Sequence, residues 1–119
     1  MTDVDSELQV LNREHLAEMS FGNEEFEREI IGDFMAALPG LIDDMAHGTA
    51  SGSCKLVAHA SHTLKGSCRS LGVERVAATC QDLEYRAREG DLHQASDLIE
   101  RIKVQLDEFR VAARSGWGL

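Results

Sequence analysis

Apolar residues recur at spacings of three and four through most of the chain, and glycines fall between these periodic stretches as punctuation. That period matches an α-helix, in which positions three and four apart share a face, so the pattern commits the chain to amphipathic helices. A single proline and 5% aromatic residues favour the same class over a sandwich or barrel. The expected fold is all-α.

Four main helices and a short opening one are predicted. The opening helix covers about Asn12 to Met19, where Leu16 and Met19 can close over one end of a bundle. The first long helix runs from about Glu24 to His47, with Asn23 as N-cap and an apolar stripe of Phe26, Ile30, Phe34, Leu38, Leu41 and Met45. Pro39 lies inside it and is expected to kink it. Gly48 to Gly52 reads as a loop, too short to separate two cores. A second long helix follows from about Ser53 to Leu71, and Gly72 fits the left-handed position that stops it. The third turns Val76, Cys80, Leu83 and Ala87 inward before Gly90. Asp91 with Gln94 resembles a capping box for the last helix, whose inward row is Ala95, Leu98, Ile102, Leu106 and Phe109. Ser115 to Leu119 reads as a frayed, flexible tail. Short connections force consecutive helices antiparallel, which gives an up-down-up-down four-helix bundle with a short additional N-terminal helix.

The 119 residues fit one domain, with its core over about 10–112 and no room for a second catalytic module. Twelve Lys and Arg against twenty-one Asp and Glu give a net charge of -9, which repels nucleic-acid backbones and anionic membrane surfaces. The polar, acidic start from Met1 to Glu7 carries no signal peptide, and no apolar run approaches the roughly 18 to 20 residues of a membrane span. Met1 and this acidic segment favour a free-standing protein. Cys54, Cys68 and Cys80 are odd in number and lack a CxxC pair, so they read as reduced thiols in the cytoplasm.

The second long helix carries the chemistry. At about 100° per residue, Val57, Ala60, Leu64, Ser67 and Leu71 share the core side, while Lys55, Ala58, His59, His62, Lys65, Gly66 and Arg69 share the opposite, solvent side. A mid-helix glycine costs roughly 0.5 to 1 kcal/mol relative to alanine, so Gly66, one turn after His62, implies that something approaches the backbone there. Neutral imidazole is a good nucleophile near pH 7, and an ammonium three residues on disfavours the imidazolium and pairs with phosphate oxygens. Lys65 occupies that position. Arg69 adds to a positive island on an acidic molecule.

The run His62-Thr63-Leu64-Lys65-Gly66-Ser67 with Leu71-Gly72 resembles the H-x-L-K-G-S-x-x-x-L-G signature of histidine-containing phosphotransfer (HPt) domains. The resemblance extends over about residues 10–112, through the Pro-containing helix before the motif and the Leu83-Glu84 and Gly90-Asp91 stretches after it. It implies a four-helix bundle in which His62 is the phosphoacceptor, through Nε2, Lys65 stabilises the phosphate and Gly66 leaves room for a receiver domain. His59, Ala58 and Arg69 would line the docking surface; Cys68 and Arg69 depart from the small or neutral residues common in the family. The implied activity is a phosphorelay step between receiver domains of response regulators or a hybrid sensor histidine kinase, with a monomeric carrier that binds no cofactor and Mg²⁺ supplied by the receiver.

Three other readings compete. His59 and His62, one turn apart, could begin a metal site, but no Glu-x-x-His motif is present and Lys65 opposes a cation. The dimerisation bundle of a histidine kinase places an acidic residue and then a proline after its histidine, whereas Thr63 follows here and no proline occurs after His62. A purely structural bundle leaves Gly66 unexplained. The absence of a G-x-x-x-x-G-K-[ST] loop argues against an autonomous ATP-dependent kinase. His15, His47 and His93 read as solvated side chains, and Lys55 as a surface lysine.

Overall fold

A computed structural model describes residues 8–119, and the acidic start at 1–7 lies outside them. Among the described residues there are five helices and no strand: α1 (Arg13–Ser20), α2 (Glu24–Ser51), α3 (Cys54–Leu71), α4 (Glu74–Arg88) and α5 (Ala95–Trp117). Each of α2 to α5 packs on its chain neighbour and α2 closes the ring against α5, while α1 lies on α2. This is the expected four-helix bundle with a short helix added at the start. None of the helices is long and apolar enough to cross a membrane.

The termini of the helices follow from local chemistry. Asn12, Asn23 and Ser53 each accept a hydrogen bond from a backbone N–H in the first turn of α1, α2 and α3. Gly72 ends α3 at φ +82°, a left-handed conformation that suits glycine. At the centre Phe109, Leu38, Met45, Leu64, Leu83, Ile102 and Leu106 are fully buried, and Phe34 meets Phe109 edge to face at 5.2 Å.

Several expectations are corrected. The segment from Gly48 to Ser51 continues α2, and Pro39 lies inside that helix as expected. Gly48 is buried because α3 crosses it closely: a Cβ there would stand 2.8 Å from Val57 Cγ2 and 3.1 Å from its backbone nitrogen. Phe26 lies outside the core stripe and is exposed, while Ile31 is fully buried. Asp91 does not cap α5; its carboxylate accepts from His93 N at 2.8 Å, and α5 starts after Gln94 without a side-chain cap.

The tail is also not frayed. Helix α5 runs to Trp117, whose buried indole donates from Nε1 to Glu27 Oε1 at 3.1 Å, while the Arg13 guanidinium covers the ring at 4.9 Å. Glu27, itself buried, also accepts from Ser20 Oγ at 2.6 Å. One carboxylate thereby ties α1, α2 and the end of α5 together.

Candidate functional site

Helix α3 is wedged between α2 and α4, so its buried arc is wider than a single stripe. Val57, Ala58, Ala60, Ser61, Leu64, Cys68 and Leu71 are all buried. Ala58 therefore belongs to the core rather than to the solvent face, and Ser67 is exposed rather than inward. The remaining exposed arc carries His59, His62, Gly66 and Arg69, as the periodicity predicts, with Lys65 half-buried at its edge.

What organises this arc is a residue on the neighbouring helix. Glu84, buried on α4, accepts from Lys65 Nζ through Oε1 at 2.6 Å and stands with Oε2 at 3.0 Å from His62 Nδ1. Arg88, one turn along α4, donates to the same Oε2 from Nε at 2.9 Å and approaches it with Nη2 at 2.7 Å. Burial alone would raise the Glu84 pKa, but the hydrogen bonds from Lys65 and Arg88, the Lys65 charge and the His62 contact outweigh it and hold the carboxyl down at about 2. Glu84 is thus a fixed anion between two cations at neutral pH.

The consequence for His62 is orientation. With Oε2 an acceptor, Nδ1 carries the proton in the neutral ring, and Nε2 holds the lone pair. The imidazole is 60% exposed, so Nε2 meets solvent while Nδ1 is anchored. Lys65, by contrast, is only 15% exposed and engaged by Glu84. Gly66 is open: a Cβ there would meet no atom within 4 Å, so nothing inside the molecule requires a glycine. A groove lined by Cys54, Lys55, Ala58, His59, Ala87 and Arg88 lies along the α3–α4 seam.

The structure therefore gathers His62, Lys65 and Gly66, and adds Glu84 and Arg88, which sequence reasoning did not single out as site residues. No local signal marked either of them, since Glu84 and Arg88 reach the imidazole only through the packing of α4 on α3. Arg69 turns away from the cluster to donate to Gln81 Oε1. His15 is not simply solvated, since its Nε2 contacts the Ser70 carbonyl at 3.0 Å. Among the described residues no group of three or more His, Cys, Asp or Glu side chains converges as a metal-ligand set. No disulfide is present at the three cysteines. Burial pushes the Cys80 thiol up to about 12, and Cys68 is raised further by burial and by Cys80, so both are protonated core groups rather than nucleophiles.

Residues 29–112 match the family model of the Hpt domain. The fold is similar to that in the crystal structure of histidine-containing phosphotransfer protein B from Pseudomonas aeruginosa PAO1, with a TM-score of 0.83 and 23% identity over 89% of this chain and 92% of that one. No curated protein sequence matches the chain. The family match spans well over half of the sequence and the bundle is the one described above, so this chain belongs to the Hpt domain family, the histidine phosphotransfer proteins of phosphorelays.

Proposed function

We propose that His62 is the phosphoryl acceptor of a relay between receiver domains, with Nε2 as the attacking atom. The observation that carries this reading is the pairing of an exposed imidazole with a buried carboxylate at Nδ1, 3.0 Å away. The Nε2 lone pair attacks the phosphorus of a receiver's aspartyl phosphate. An N–P bond forms as the P–O bond to the aspartate breaks, and the electron pair leaves on the aspartate carboxylate. No proton need leave Nε2, because in the neutral ring Nδ1 carries it, and Glu84 stabilises the positive charge that develops there. The reverse steps pass the phosphoryl group to a second receiver.

Lys65 and Arg88 are the cations that neutralise the transferred group. Both begin on Glu84, so the phosphoryl oxygens take over contacts already aimed at one point rather than ordering free side chains. The receiver supplies Mg²⁺, and Gly66 and His59 lie beneath it. The phosphoryl group comes from another protein, and the purified chain is expected to take no label from γ-labelled ATP.

The experiment is His62→Gln against wild type, offered a phosphorylated receiver domain and analysed by intact-mass spectrometry at neutral to alkaline pH. The variant keeps its helical content and melting temperature because the side chain is exposed, and gains no phosphoryl mass. Wild-type transfer by the variant would overturn the assignment.

A further inference from the structure

On a chain with a net charge of -9, the groove along the α3–α4 seam is lined without a carboxylate. It holds about 500 Å³ between the start of α3 and the end of α4, with Lys55 and His59 on one wall and Arg88 on the other, above the buried Ala58 and Ala87. All three polar side chains are exposed. A smaller hollow at Ser53, Lys55, Leu56 and His59 adjoins it, and that one holds no carboxylate either. Taken alone, Lys55 is a surface lysine; the fold sets it one turn from His59 and across the groove from an arginine of another helix.

Three cations stand here against one anion. Lys65 and Arg88 both pair with Glu84, and Lys55 makes no ion pair with any described residue, so the seam carries two positive charges in excess. A phosphate group carries roughly 1.5 to 2 negative charges near pH 7, which matches that excess. The donors suit it as well. Arg88 meets Glu84 with Nε and Nη2, and its Nη1 takes part in neither contact; the Lys55 ammonium and a ring N–H of His59 complete a set from three side chains. Packed helix axes lie roughly 8 to 10 Å apart, and extended Lys and Arg side chains span that gap to a common anion.

We propose that this groove binds a free phosphate anion through Lys55, His59 and Arg88, and that the bound anion competes with the receiver. His59 precedes His62 by one turn, and Arg88 donates to the same Glu84 oxygen that stands 3.0 Å from His62 Nδ1. An anion held there lies beside the imidazole, engages Arg88 and repels the anionic phosphorylation site of an approaching receiver. The competition rests on His62 as acceptor and on the receiver covering His59. The binding rests on the groove alone.

Proton–nitrogen NMR of the whole chain, titrated at fixed pH and ionic strength with inorganic phosphate and separately with glycerol 3-phosphate, reads the binding directly. Shifts centred on residues 54–59 and 87–88 are expected to saturate, with a midpoint of about 1 mM, and sodium chloride at the same ionic strength gives no saturation. Saturation by both anions identifies any phosphate group as the ligand, and saturation by one alone identifies that source. Lys55→Gln is expected to raise the midpoint at least threefold, whereas Lys103→Gln, at an exposed lysine of α5, leaves it unchanged. Shifts that stay linear in phosphate, or an unchanged midpoint for Lys55→Gln, overturn the site. In transfer from a purified phosphorylated receiver, inorganic phosphate at about ten times its midpoint is expected to raise the half-saturating receiver concentration about tenfold at the same maximal rate, and less in Lys55→Gln. An unchanged half-saturation overturns the competition. Failure of the wild-type chain to accept phosphate from any receiver would instead overturn the underlying functional reading, with the titration still standing.

Discussion

Replacing Glu84 by glutamine keeps the shape of the site and removes the one charge that holds it together. The carboxylate accepts from Lys65, Arg88 and His62, and its pKa falls from an ordinary 4.5 to about 2. A depressed carboxylate stabilises the fold fully above its unfolded pKa, and the contribution is lost as pH falls through the folded value. At 1.36 kcal/mol per unit the ceiling is about 3 kcal/mol, and solvent screening at the half-exposed Arg88 and His62 lowers this to about 2 kcal/mol. Glu84→Gln is therefore expected to lose about 2 kcal/mol at pH 7, roughly 6 to 10 °C in melting temperature for a domain of this size. The difference narrows below about pH 4.5 and has largely closed near pH 2, where the wild-type carboxyl is itself taking up its proton. Thermal melts of both proteins at intervals from pH 7 to 2 measure it. Equal melting temperatures at pH 7, or a gap that persists unchanged to pH 2, would show that the Glu84 charge does not hold the site together.

Two glycines in long helices are expected to respond in opposite ways. Gly66→Ala should gain up to about 1 kcal/mol in denaturant unfolding, since its Cβ meets open space, and Gly66→Gln should fold equally well yet slow transfer from a phosphorylated receiver at least tenfold by obstructing approach to His62. Gly48→Ala should lose about 1 to 2 kcal/mol despite the better helix propensity of alanine, because the stiff Val57 side chain and its backbone stand in the way; a more stable Gly48→Ala protein would contradict the close crossing of α2 and α3.

The helices were legible because their signals are local. Asn23 and Gly72 lie next to the turns they cap, and Cys80, Leu83, Ile102 and Leu106 each mark an inward face by spacing alone. The His62, Lys65 and Gly66 grouping was legible for the same reason, as it lies within two turns of one helix. Glu84 was not: it meets His62 from 22 residues away, through the packing of α3 on α4, and no local pattern separates it from the acidic residues of the surface. Gly48 and Trp117 were misread because each sits in a stretch of loop-like composition whose conformation is set by a distant partner, Val57 in one case and Glu27 in the other. Ala58 and Ser67 exchanged faces because the buried arc of α3 is turned toward the side of Ala58, Ser61 and Cys68, away from Ser67, a rotation set by packing against neighbouring helices that spacing alone does not give.

In the proposed mechanism Glu84 fixes His62 with Nδ1 protonated and leaves Nε2 free to take the phosphoryl group. Nitrogen-15 NMR of the histidine-labelled protein, recorded after phosphorylation by a receiver domain, identifies the ring nitrogen coupled to phosphorus. The expected result is a single phosphohistidine, His62, with the N–P bond at Nε2 and the proton retained on Nδ1. Phosphorus bound to Nδ1 of His62, or to either nitrogen of His59, would overturn the role given to Glu84 and His62.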